Sequence, residues 1–293
     1  MKQPIFEGVC TALATPFEDQ GIDYENFDRL LEHQTQAGVT AFVVCGTTGE
    51  AATMSDDEQH NLIRYCVKHT HSQTVIAGTG TNDTTHTLRK CLAAEDAGAD
   101  ALLVVTPYYN KGNHDGILRH YETIADCVHI PVILYNVPSR TGVNLTPEQY
   151  AILSQHPNIG GVKEASGNLS QVLRTQTLCG PDFHIWSGND DQIVPMMALG
   201  AKGVISVLSN LVPEVVLQMT THCQQSNYDD AAQLQCNWMD LIDSLFCEAN
   251  PIPLKAALRY LGIGNGQCRL PLGELSVSGK QQLIKAMLGH NLL

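Results

Sequence analysis

The sequence predicts an α/β protein, a (β/α)8 TIM barrel with a C-terminal three-helix appendage. Three observations carry that expectation. Eight short apolar runs rich in Val and Ile recur along the chain, mostly without polar alternation, as parallel strands covered on both faces require. Amphipathic segments of helical period separate them. The eight units span roughly 225 residues, about 28 each, which is the economy of a barrel. A doubly wound open sheet is the competing architecture, but the chain has no G-x-G-x-x-G turn.

Taken in order, the strand runs are residues 8–17, 40–47, 74–80, 101–107, 130–138, 159–166, 183–188 and 203–210. Between the first two, residues 24–37 place Phe27, Leu30, Leu31 and Gln34 at helical spacing and stop at Gly38. Ser55 with Glu58 three residues later forms a capping-box signature for the second helix. Residues 84–97 form the third helix and end at Gly98, while Thr146-Pro147-Glu148 opens another with proline at its first position. From about Pro213 the strands cease, leaving helical stretches at 214–223, 229–246 and 253–261. The expected division is a catalytic barrel over residues 1–225 and a helical region over 226–293 packed on it.

Composition excludes several classes of function. The 293 residues include 43% hydrophobic and 16% charged side chains, unlike a disordered chain. Lys plus Arg number 17 against 30 Asp plus Glu, a net charge of −13. With no basic run, such a chain is repelled by phosphate backbones and anionic lipid, so neither nucleic acid nor a membrane is an expected partner. The ten cysteines are scattered, without a C-x-x-C pair, and most lie in apolar runs, so they read as reduced small hydrophobes. No secretory leader or membrane-length apolar window is apparent, and a cytoplasmic location is expected. His33, His69 and His71 fall on helices or helix ends and no H-E-x-x-H occurs, so no metal is expected.

A barrel enzyme carries its reactive groups at the C-terminal ends of its strands. There Lys163 is the most informative residue, as the one lysine within a strand of buried character. Desolvation lowers a lysine's pKa and frees a neutral amine for attack on a carbonyl. A structural ion pair is the alternative, although neighbouring Glu164 would face the opposite side of the strand. Tyr135 ends the adjacent strand, as a proton shuttle or as packing with its hydroxyl tied off. The Gly46-Thr47-Thr48-Gly49 turn offers amides and hydroxyls for a carboxylate or phosphate, a pattern many loops share. Arg140 could grip a carboxylate with two parallel hydrogen bonds, or be an idle surface arginine.

Jointly, Gly46-Thr47-Thr48-Gly49-Glu50, Pro107-Tyr108-Tyr109-Asn110, Tyr135 to Gly142 and Val162-Lys163-Glu164-Ala165 closely resemble the dihydrodipicolinate synthase family. That family lies in the N-acetylneuraminate lyase superfamily of Schiff-base aldolases. The resemblance runs from Gly8 to Lys255, and Arg140 in Ser-Arg-Thr-Gly sets the chain apart from sialic-acid and sugar-acid lyases. It implies that Lys163 forms an imine with pyruvate, whose enamine attacks aspartate 4-semialdehyde before ring closure, in lysine and diaminopimelate biosynthesis. It implies further that Tyr135, Thr47 and Tyr109 relay protons, that Thr48 and Ile205 hold pyruvate, that Arg140 binds the semialdehyde carboxylate, and that Gly188 leaves room for substrate. No cofactor beyond the covalent imine is implied. In this family the residue matching Tyr109 reaches the partner's active site, implying a dimer as the minimal unit and a homotetramer as its usual pairing. Asp56, Gln59 and His86 depart from the family's lysine-inhibition site, implying weak or absent feedback. Two alternatives stand beside this: a sister pyruvate aldolase acting on a sugar acid or sialic acid, and a barrel that binds ligand without turnover.

Overall fold

The computed structural model describes every residue except Met1, Gln20 and His71, so the helix-end placement expected for His71 lies outside the described residues. Eight strands form a closed parallel barrel: β1 (Gly8–Ala12), β2 (Ala41–Val44), β3 (Thr74–Gly78), β4 (Ala101–Val105), β5 (Val132–Asn136), β6 (Ile159–Glu164), β7 (His184–Ser187) and β8 (Gly203–Ser206). They follow one another around the barrel, which closes where β1 pairs with both β2 and β8.

Period-two alternation divides the strand residues between two apolar layers. Ala12, Val43, Ile76, Leu103, Ile133 and Ile205 fill the barrel interior. Their neighbours Val44, Val75, Leu102, Val104, Val132 and Val204 face outward into the core beneath the helices. Both faces are therefore buried, which is why the runs lack polar alternation.

The helices form where the caps and apolar stripes direct them. Helix α1 (Tyr24–Ala37) buries Phe27, Leu30, Leu31 and Gln34 and ends on Gly38 at φ 94°. Helix α2 (Asp56–His69) starts from the Ser55–Glu58 capping box, with both reciprocal hydrogen bonds made. Such a cap stabilises a helix by about 1 kcal/mol. Helices α3 (Thr84–Asp96) and α4 (His114–Cys127) follow, then α5 (Pro147–Leu153), which has a second capping box between Thr146 and Gln149. Helices α6 (Leu169–Cys179), α7 (Ile193–Ala198) and α8 (Pro213–Gln224) complete the outer ring.

The C-terminal region differs in detail from the sequence reading. The stretch at 229–246 is two helices, α9 (Tyr228–Asn237) and α10 (Met239–Leu245), broken at Trp238. Helix α11 (Ile252–Tyr260) matches the stretch at 253–261, and α12 (Val277–Gly289) is an additional element. Leu241, Leu245, Leu254, Leu258, Leu283 and Met287 join the apolar core that underlies the barrel helices. The first strand run is also shorter than its apolar stretch, because Phe17–Glu18 pairs antiparallel with Gly21–Ile22. Cys10, Cys45, Cys66, Cys91 and Cys223 are buried free thiols, while Cys127 and Cys236 are exposed. Among the described residues no helix is long and apolar enough to cross a membrane.

Candidate active site

The parallel register of β5 and β6 sets Tyr135 directly beside Lys163, and Asn136 beside Glu164. Alternation then sends the two pairs in opposite directions. Tyr135 belongs to the interior cluster, and Lys163 Nζ lies 4.4 Å from its ring centroid. Glu164 instead faces the helix layer. There its carboxylate accepts hydrogen bonds from Tyr150 Oη (2.8 Å), Asn136 Nδ2 (3.1 Å), Gln171 Nε2 (3.2 Å) and the Ser166 amide (2.7 Å). Burial and the adjacent Glu164 charge push the Tyr150 phenol well above its ordinary pKa, so it remains a donor to this carboxylate. Glu164 is thus satisfied without Lys163.

Two buried lysines allow a direct comparison. Lys255 on α11 places Nζ 2.6 Å from Glu50 Oε1, a closed ion pair. Lys163 is equally buried, at 5% exposure, but among the described residues has no carboxylate within ion-pair distance. It lines a cavity of about 160 Å³ at the C-terminal mouth of the barrel, a volume suited to a small metabolite. Its surroundings also disfavour negative charge elsewhere. Burial pushes the Cys10 thiol far up, the Lys163 charge opposing only in part. Burial likewise raises the Asp190 carboxyl, which accepts from the Val207 and Leu208 amides (3.0 and 2.9 Å) and so ties the β7 loop to the β8 loop.

The same cavity is lined by Thr47, Thr48, Tyr135, Arg140 and Gly188. Thr47 is exposed and Thr48 buried on the turn after β2. Arg140 is exposed on a one-turn helix, Pro138–Thr141, that begins two residues beyond β5. At Gly188 a Cβ would stand 2.7 Å from the Ala165 Cβ and 3.2 Å from Lys163 Cε, so a side chain there would crowd the reactive amine. Ile205 lies fully buried among the interior side chains and is not part of the cavity wall. Tyr109 is not brought to the cavity by its own chain. It sits 88% exposed at φ 70°, a strained conformation for a tyrosine.

Asn250 escaped the sequence reading. It lines the cavity, donates from Nδ2 to Thr48 Oγ1 at 2.9 Å, and offers its carbonyl to Arg140 Nη2 at 3.4 Å. A wider groove continues from Thr47, Tyr135 and Arg140 to Asp56, Gln59 and His86. There His86 Nε2 lies 2.9 Å from Asp56 Oδ2, and Gln59 Nε2 donates to the carbonyls of Ala51 (2.8 Å) and Met54 (3.1 Å).

A barrel with an unpaired buried lysine beside a tyrosine, below a turn of hydroxyls and amides, defines a lyase of the class I aldolase type. Residues 5–289 match the model of the dihydrodipicolinate synthetase family, and the chain belongs to that family. It is 42% identical over 294 residues to the 4-hydroxy-tetrahydrodipicolinate synthase of Acetivibrio thermocellus, covering the whole of both chains. The crystal structure of dihydrodipicolinate synthase from Thermotoga maritima superposes with a TM-score of 0.96 at 38% identity, over 99% of this chain and 100% of that one. The lysine-bound enzyme from Cyanidioschyzon merolae gives 0.95 at 40% identity, over 99% and 100%.

Proposed function

We propose that the chain catalyses the 4-hydroxy-tetrahydrodipicolinate synthase reaction, condensing pyruvate with L-aspartate 4-semialdehyde in lysine and diaminopimelate biosynthesis. The observation that carries this reading is the buried Lys163 amine, free of any carboxylate partner among the described residues and open to a small cavity with Tyr135 and Thr48. The amine attacks the pyruvate carbonyl and water leaves, forming an iminium. Electron withdrawal by the iminium releases a methyl proton and gives an enamine. The enamine carbon adds to the semialdehyde, and the semialdehyde's own amine then displaces Lys163 as the ring closes.

In this reading Thr48 holds the pyruvate carboxylate, Ile205 packs behind it, and Gly188 keeps the approach to Lys163 open. Tyr135 and Thr47 move protons, joined by Tyr109 of a second copy. That makes a dimer the smallest complete unit and a dimer of dimers the proposed assembly, located in the cytoplasm. The left-handed Tyr109, 88% exposed, supports an inserted residue. Pyruvate with borohydride tests the first step: reductive alkylation of Lys163 is expected, and its absence would rule out the imine. Loss of aspartate semialdehyde that depends on pyruvate, compared with sugar aldehydes, then tests the substrate.

Arg140 supplies the local positive charge that an anionic second substrate needs on a chain of net charge −13. Arg140→Ala is expected to lower kcat/KM for the semialdehyde by about 10²-fold, as for a bidentate carboxylate contact removed, with pyruvate trapping unchanged. A wild-type rate in that variant would remove Arg140 from the site.

Asp56, Gln59 and His86 further support weak feedback by lysine. His86 pairs with Asp56, and Gln59, whose Nε2 is held by the Ala51 and Met54 carbonyls, carries no charge to face the lysine amine. The one acid among them, Asp56, is shared with His86. Steady-state rates are therefore expected to be insensitive to sub-millimolar lysine, and half-inhibition in that range would refute this.

A further inference from the structure

Glu50 and Lys255 do not touch the cavity's reactive amine, yet they join its carboxylate loop to the C-terminal helices. Glu50 closes the Gly46–Gly49 turn in the left-handed region, at φ 55° and ψ 34°. A non-glycine residue holds that conformation only when its surroundings over-determine it. The surroundings here are specific. Oε1 accepts from Lys255 Nζ at 2.6 Å, and Oε2 accepts from the Arg269 amide at 2.9 Å. Both side chains are almost fully enclosed, at 4% and 0% exposure, so water neither screens nor replaces the pair. Phe17 adds a third side to the enclosure, its ring centroid 4.3 Å from Lys255 Nζ and 4.2 Å from Arg269 Cζ.

The tether ends on substrate-binding groups. Five residues before Lys255, Asn250 donates to Thr48 Oγ1 and accepts from Arg140. The segment that anchors Glu50 therefore also orients the Thr48 hydroxyl. We propose that Glu50 and Lys255 are positioning residues for pyruvate binding: their buried pair locks the Thr47–Thr48 turn in its carboxylate-accepting geometry and makes the C-terminal helices a functional part of the site. This rests on the reading of Thr48 as the pyruvate-carboxylate residue.

Lys255→Met alone would leave a buried carboxylate unpaired, so the decisive variant is Glu50→Gln with Lys255→Met, which leaves no uncompensated charge. It is expected to raise KM for pyruvate at least about fivefold while kcat at saturating pyruvate stays within about threefold, the pattern of lost ground-state binding. Glu50→Asp keeps the charge and shortens its reach by one methylene; it is expected to raise KM in the same direction. A wild-type pyruvate KM in either folded variant, even with a lowered melting temperature, overturns the proposal and leaves the pair merely structural. Thr48→Val separates the two levels. If Thr48→Val raises KM and the double variant does not, the coupling alone fails. If neither raises it, the reading of Thr48 fails and takes the coupling with it.

Discussion

Lys163→Ala is expected to lose at least about 10³-fold in kcat and all borohydride-dependent labelling by pyruvate, because no other group in the cavity can form the imine. The size of the effect follows from the cavity's composition. Thr47, Thr48, Tyr135 and Arg140 line the cavity with Lys163, but none is an amine able to condense with a carbonyl carbon. Lys163→Arg makes the test sharper. A guanidinium stays protonated at any working pH and cannot act as the nucleophile, although it keeps the positive charge. If charge alone mattered, Lys163→Arg would retain turnover. The imine mechanism requires both variants to be inactive, and a rate within tenfold of wild type in either would end it. Folding is not at risk from a broken ion pair, since Lys163 has none among the described residues.

Much of this could be read from the sequence because it rests on local rules. The opposite facing of Lys163 and Glu164 follows from strand period alone, and the structure places one in the barrel and the other among Tyr150, Asn136 and Gln171. The capping box at Ser55 and the proline-led start at Thr146-Pro147 likewise mark their helices where the structure has them. Contacts between distant segments were not legible. Asn250 reaches Thr48 across 202 residues and Lys255 reaches Glu50 across 205, and no periodicity connects such positions. The break at Trp238 was hidden for a related reason. The apolar pattern continues through it, and the Gln235 side chain in the last turn of α9 bonds the Val194 amide and the Asp191 carbonyl, distant groups that no local pattern reveals. Helix α12 did carry a signal, the Ser276 cap followed by Leu283, Ala286 and Met287, but its exposed Val277 and short apolar stripe weaken it.

Tyr135→Phe is expected to reduce kcat by about 10²- to 10⁴-fold, the usual worth of a positioned acid–base group, with little change in stability. The alternative for this residue is a packing tyrosine whose hydroxyl is held by the protein. Its ring does pack, beside Lys163 and within the interior cluster, and phenylalanine preserves that. Its hydroxyl has no protein hydrogen-bond partner among the described residues, while the side chain lines the cavity. A phenol can donate and accept, which suits both the water lost on imine formation and the proton gained by the new alkoxide. Loss of the hydroxyl should therefore slow imine trapping as well as steady-state turnover, and by similar factors. If trapping kept its wild-type rate and only the later steps slowed, Tyr135 would serve the aldol step alone. A wild-type rate throughout would leave it a packing residue, because phenylalanine fills the same space.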